Sequence, residues 1–138
     1  YLHGTGVEIL ANSDNVLRCG LTPKHVDVPE LLRVLDFGCG DMPVQTGEET
    51  APGLWSYRTP CPEFELSRIE VGPSTPVRVD HSGPQILLCT RGRARLTCGD
   101  DTVELARGQS VWLPARDPEV TVTAEVDTQL FRATPGVE

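Results

Sequence analysis

The clearest periodicity lies toward the end of the chain, where Val120, Val122, Ala124 and Val126 alternate with Thr121, Thr123, Glu125 and Asp127. Successive side chains of a strand point to opposite faces, so this run predicts a strand with one face in a core and the other in water. Ala94, Leu96 and Cys98 alternate in the same way. Before them Arg91-Gly92 reads as a turn, and Ile86-Leu87-Leu88-Cys89 as a strand buried on both faces. Val103 and Leu105 continue the meander, and Val111 and Leu113 add another strand ahead of Pro114. Phe64 and Leu66 share one parity while Ile69 and Val71 share the other, a slip that predicts a bulge near Ser67 and Arg68. Short strands separated by Gly and Pro turns predict a small β-sandwich or jelly roll over residues 63–138.

The first part of the chain has another character. Over residues 6–11, Val7, Ile9 and Ala11 face one way and Glu8 and Leu10 the other, which predicts a strand. Asn12-Ser13-Asp14-Asn15 are residues whose side chains bond their own backbone, so the strand is expected to end there and Arg18 to follow on a loop. Asp27-Val28-Pro29-Glu30 has the form of a helix start, with Asp27 as cap. Leu31, Leu32, Val34 and Leu35 supply an apolar stripe, and Gly38 is placed to stop a helix of about three turns. Residues 38–62 hold many glycines and prolines with little periodicity and read as a linker, with Trp55 and Tyr57 available to pin it to a neighbour. The chain is therefore mainly β, with a strand, loop and helix ahead of the linker.

Charge and cysteine usage narrow the functional classes. The net charge is −8 over 138 residues. A concentrated positive face, needed to bind a nucleic-acid backbone, is missing. Arg91, Arg93 and Arg95 form a short stripe best read as a solvated strand face. No apolar run approaches the ~20 residues that span a bilayer, so no membrane partner is expected. The five cysteines are widely spaced with no C-x-x-C pair, the pattern of reduced thiols in a cytoplasm. The chain opens on Tyr1 in the middle of an apparent element, which suggests a piece of a longer protein.

The run GVEILANSDNVLRCGLTPKHVDVPELLRVLDF carries a resemblance. Over its whole length it is similar to the type I, zinc-dependent mannose-6-phosphate isomerases, a cupin-type family. GPQILLCTRGRARLTCGDDTVELARGQSVWLPA resembles that family's C-terminal cupin-like domain in pattern. The resemblance implies that residues 1–37 are the end of a catalytic isomerase domain, 38–62 a linker and 63–138 a cupin-like jelly roll. It also implies an aldose–ketose isomerase acting on a phosphorylated hexose. Arg18, in the SDNVLR loop, corresponds to the family's active-site arginine; Glu8, Asp14 and Lys24 match neighbouring positions of the pattern.

The chemistry suits those residue types. Moving a proton between adjacent carbons of a sugar passes through an enediol whose oxygens become negative, and a fixed cation stabilises them without changing its own protonation. Arg18 and Asp14 are the expected catalytic residues, with Lys24 and Glu8 as substrate contacts. Each also has an ordinary structural reading: surface charge for Arg18, Lys24 and Glu8, a turn former for Asp14.

The family's zinc is held by a glutamine, two histidines and a glutamate. The resemblance places three of these far upstream, with the last histidine two residues before Tyr1. No zinc ligand is therefore assigned to this chain, and His3, His25 and His81 fall at positions the pattern does not fix. Residues 64–132 also lack the close H-x-H pair of a metal-binding cupin. The expected partner is the missing N-terminal catalytic portion, without which the chain is expected to be inactive. A non-catalytic cupin-like module that binds sugar or another protein remains the alternative.

Overall fold

The computed structural model describes residues 2–10, 12, 16–41, 44–79 and 83–136. The chain divides into two compact units, one formed by residues 1–7 and 45–138 and the other by Glu8–Val44.

The described residues of the larger unit form ten strands. These are β1 (Glu48–Ala51), β2 (Leu54–Tyr57), β3 (Glu65–Val71), β4 (Val77–Val79), β5 (Gln85–Arg91), β6 (Arg93–Cys98), β7 (Asp101–Ala106), β8 (Ser110–Leu113), β9 (Val120–Ala124) and β10 (Thr128–Thr134). A six-stranded sheet runs β1-β2-β3-β10-β5-β8, and a four-stranded sheet runs β4-β9-β6-β7. All pairs are antiparallel. From β3 onward the chain crosses between the sheets at every step except β6 to β7, the arrangement of a jelly roll, so the sandwich expected from the alternating pattern forms.

The core is the inner face of both sheets. Ile69, Val71, Leu87, Cys89, Leu113 and Leu130 come from the six-stranded sheet, and Val77, Val79, Ala94, Leu96, Leu105, Val120 and Val122 from the four-stranded one. Val120 and Val122 are fully buried while Thr123 between sheet and solvent is exposed, as their alternation predicts.

Three local expectations are corrected. Over β3 the register against β10 runs without a shift from Glu65 to Val71, so there is no bulge at Ser67 and Arg68. Ser67 is itself fully buried on the same face as Ile69 and Val71, and its hydroxyl donates to Glu65 Oε1 at 3.3 Å. A small polar residue with a partner fills a core position that the hydrophobic pattern could not mark. β5 is buried on one face only: Leu87 and Cys89 are inside, while Ile86 is exposed and Leu88 half-buried. The stretch expected as a linker carries β1 and β2, joined at Gly53, whose φ of +76° suits glycine. A Cβ there would stand 2.6 Å from the Glu70 carbonyl. Gly53 N–H donates to Glu49 Oε1, closing the hairpin.

The smaller unit contains α1 (Val28–Val34). Its start is as the sequence predicts: Asp27 Oδ1 accepts the Glu30 N–H at 3.0 Å and proline sits in the first turn. Arg33 and Glu30 pair one turn apart. The helix is shorter than expected and stops at Leu35, which is extended. Gly38 does not supply the stop; its N–H is taken by Asp36 Oδ1 at 2.8 Å, a local side-chain bond that competes with a further helical turn. The strand expected at residues 6–11 is likewise absent among its described residues, for strand pairing needs a neighbour and no described residue before Glu48 is in a strand. Val7 and Ile9 are nonetheless half-buried while Glu8 and Leu10 are exposed, the parity expected of them.

Candidate functional site

Glu8, Arg18 and Lys24 all belong to the smaller unit, where the expected site residues are gathered. Asp14 lies outside the described residues, as does His81. Arg18 is half-buried, in an irregular stretch that leads into a tight bend. The bend uses unusual backbone: Gly20 has φ of +144°, and Leu21 has φ of +50°. A non-glycine residue in the left-handed region costs free energy unless its surroundings hold it there, so Leu21 is a feature the sequence did not signal. Past the bend, the Lys24 N–H donates to Thr22 Oγ1 at 3.2 Å. That hydroxyl turn sets the backbone at the T-P-K step, and Pro23 fixes φ between the two partners.

Lys24 and Glu8 project into solvent. Among the described residues none of Glu8, Arg18 and Lys24 forms an ion pair. Arg107 and Arg116, both exposed, are likewise in no ion pair among the described residues, whereas several other arginines are held by carboxylates. Arg91, on β5, pairs with Glu70 on the six-stranded sheet, while Arg93 and Arg95, on β6, both pair with Glu104 on the four-stranded sheet, so the three are exposed as the sequence suggested but do not share one strand face. Arg68 reaches Glu70 at 3.2 Å, donates to the Tyr57 hydroxyl at 3.2 Å and lies 5.4 Å from the centre of the Trp55 ring. Trp55 and Tyr57 do therefore pin β2, and they do so through one guanidinium. Cations already held by carboxylates in this way are less available to an anionic ligand.

The described residues contain no group of three or more His, Cys, Asp and Glu placed to hold a metal ion. His3 and His25 are exposed. Cys89 is buried and burial pushes its thiol up, while Cys61 donates to Glu63 Oε2 at 3.0 Å, which also raises the thiol and lowers the carboxyl.

The larger unit has an open groove of about 570 Å³ beside Ser74, Arg93, Arg95, Glu104, Thr123 and Glu125. Its two arginines are those held by Glu104.

The chain is 38% identical over 136 residues to mannose-6-phosphate isomerase 2 of Arabidopsis thaliana, a match covering 96% of this chain. The relatives are mannose-6-phosphate isomerases. A second, from Escherichia coli, is 34% identical over 128 residues and covers 88% of the chain. In three dimensions the chain is similar to phosphomannose isomerase of Salmonella typhimurium, solved with fructose 6-phosphate and zinc, with a TM-score of 0.76 and 28% identity over 93% of this chain. No protein-family model matches. The chain spans about a third of the length of these relatives, 30%, 31% and 32% respectively. Matches over 136 residues extend the isomerase resemblance beyond the motif of residues 6–37 and through the jelly roll. The described residues include no helix long and apolar enough to cross a membrane.

Proposed function

We propose that this chain is one part of an aldose–ketose isomerase that interconverts mannose 6-phosphate and fructose 6-phosphate through an enediol, and that Arg18 is its main contribution to the chemistry. The observation that carries this reading is the match of almost the whole chain to mannose-6-phosphate isomerases, together with a half-buried Arg18 that no described carboxylate neutralises. One solved relative was crystallised as an alanine mutant at a glutamate and another at an arginine ten positions further on. Glu8 and Arg18 stand ten positions apart in this chain. A third relative lacks a histidine nine positions before that glutamate, a spacing that falls ahead of Tyr1 and suits a zinc ligand held outside this chain.

In this reading the Arg18 guanidinium faces the oxygens of C1 and C2 as they gain negative charge, stabilising the enediolate without exchanging a proton. Its partial burial strengthens that attraction by lowering the local dielectric. Glu8 accepts a hydroxyl of the sugar, and Asp14 serves as a proton or hydroxyl partner close in sequence to Arg18. Lys24, a compact charge on an exposed loop, meets the phosphate. Zinc belongs to the remainder of the polypeptide, since no described donor set here fits it. The jelly roll supports the fold rather than the chemistry. Mannose 6-phosphate made in this way would feed GDP-mannose formation in the cytoplasm.

The test is a coupled assay of fructose 6-phosphate formation. The full-length polypeptide carrying this chain is expected to turn over mannose 6-phosphate, and the 138-residue chain alone is expected to show no turnover above background. A full-length protein that binds a hexose phosphate without interconverting it would replace the enzyme by a sugar-binding module.

A further inference from the structure

The interior of the jelly roll is not apolar throughout. Among the described residues the buried polar side chains are Ser56, Ser67, Gln85 and Thr128, and the first three stand together at one end of the six-stranded sheet. Ser56 and Ser67 are direct cross-strand partners on β2 and β3, and Arg132 stands opposite Ser67 on β10. Glu65 precedes Ser67 by two positions, so its side chain leaves β3 on the same inner side. A carboxylate on the inward face of a sandwich costs free energy unless polar groups surround it.

Here the polar groups are in place. The hydroxyls of Ser56 and Ser67 both donate to Glu65 Oε1. Each spends its one proton in doing so, and among the described residues Glu65 Oε2 accepts no hydrogen bond. Beside this cluster opens a pocket of about 440 Å³, lined by Ser56, Glu65, Thr59, Pro60, Cys61 and Phe64 among others. That volume falls within the span of small-molecule sites, about 300–1,000 Å³. Arg58 also lines the pocket, and its guanidinium is held by Glu48 at 2.8 Å.

We propose that this pocket binds an uncharged monosaccharide. The carboxylate oxygen that is free among the described contacts is an acceptor, so the ligand supplies hydroxyl donors. An anion is disfavoured, because Arg58 is already matched by Glu48 and a phosphate would meet the Glu65 carboxylate. Phe64 and Pro60 give the pocket apolar surface, on which the C–H face of a pyranose can lie while the hydroxyls at its edge reach Glu65. The site is made wholly of residues of the larger unit and does not depend on the isomerase reading.

Timed alkylation of the full-length polypeptide by iodoacetamide, with and without glucose, tests this. Cys61 lines the pocket, and the exposed Cys19 of the smaller unit is the control. Glucose at millimolar concentration is expected to slow the reaction of Cys61 several-fold and saturably and to leave Cys19 unchanged. The protection is expected to vanish in Glu65→Gln, which puts an amide donor where the free acceptor was. Equal rates for Cys61 with and without glucose overturn the proposal, as does slowing that Cys19 shares or that Glu65→Gln retains. A Cys61 that does not react in the native protein also overturns it, since a pocket closed to iodoacetamide is closed to a hexose. Protection by inorganic phosphate instead of glucose overturns it by making the ligand an anion. The wild-type comparison of Cys61 with Cys19 decides the matter where Glu65→Gln does not fold.

Discussion

Gly92 meets the side chain of Thr128 at the corner where the chain leaves one sheet for the other: a Cβ built on Gly92 would stand 2.3 Å from Thr128 Oγ1 and 3.0 Å from the Asp127 carbonyl. Gly92 has φ of +75°, so both its conformation and its neighbours exclude a larger residue. Thr128 is almost fully buried. Its hydroxyl accepts the Arg93 N–H at 3.2 Å and donates to the Val126 carbonyl at 2.8 Å, or to that of Arg93 at 3.1 Å. This pair holds β5, β6 and β10 together.

Gly92→Ala is therefore expected to destabilise the jelly roll by about 1–3 kcal/mol, from strain and the forced shift of Thr128. Thr128→Ala is expected to cost about 1–3 kcal/mol by leaving the Arg93 N–H without its acceptor. Because the two side chains compete for one space, the double variant is expected to lose less than the sum. Urea unfolding of the four proteins checks all three values, and strict additivity would show that the two positions do not interact.

Leu130 lies on the central strand of the six-stranded sheet and is fully buried. Leu130→Ala is expected to cost about 2–5 kcal/mol. Phe131→Ala on the neighbouring position points outward and is half-buried, so in denaturant melts it should cost clearly less. Comparable losses would mean that the outer face belongs to the core of this unit.

The thiols should separate by burial. Cys19 and Cys39 are exposed, whereas Cys89 is buried and its thiol is pushed up by desolvation. Timed alkylation at neutral pH followed by mass mapping is expected to label Cys19 and Cys39 first and Cys89 only on unfolding. Early labelling of Cys89 would contradict the buried inner face of β5.

Glu104 carries a pH prediction. Its carboxyl is lowered, first by the hydrogen bond from Arg95 and then by that guanidinium's charge. A carboxylate lowered in the folded state adds stability above the ordinary carboxylate pKa, and that contribution is lost as pH falls through the folded value. The group is solvent-exposed, so the effect on stability is small. An NMR titration is expected to place Glu104 below an ordinary glutamate and to move it up toward the ordinary range in Arg95→Gln, with the remainder of the depression held by Arg93.

The jelly roll was legible because its inner positions repeat with period two: Val120, Val122, Ala94 and Leu96 announce themselves as one face. Ser67 hid the unbroken register of β3, because a buried hydroxyl looks like a surface residue in a hydrophobic pattern. β1 and β2 were hidden by the glycines and prolines around them, although Gly53 proves to be the turn that makes the hairpin possible. Helix α1 was found from its cap, yet overextended, since Asp36 ends it by a bond that no periodicity records. Arg18 was legible through the SDNVLR resemblance alone. Its half-burial without a described carboxylate partner, where the likewise unpaired Arg107 and Arg116 are exposed, depends on the folded arrangement.

The most direct measurement is steady-state kinetics of Arg18→Ala and Arg18→Lys in the full-length polypeptide, with circular dichroism to confirm that each folds. If Arg18 stabilises the enediolate, kcat is expected to fall by about 10²–10³-fold in Arg18→Ala with a much smaller change in KM, and Arg18→Lys to recover part of it. A folded Arg18→Ala enzyme with unchanged kcat would contradict the account.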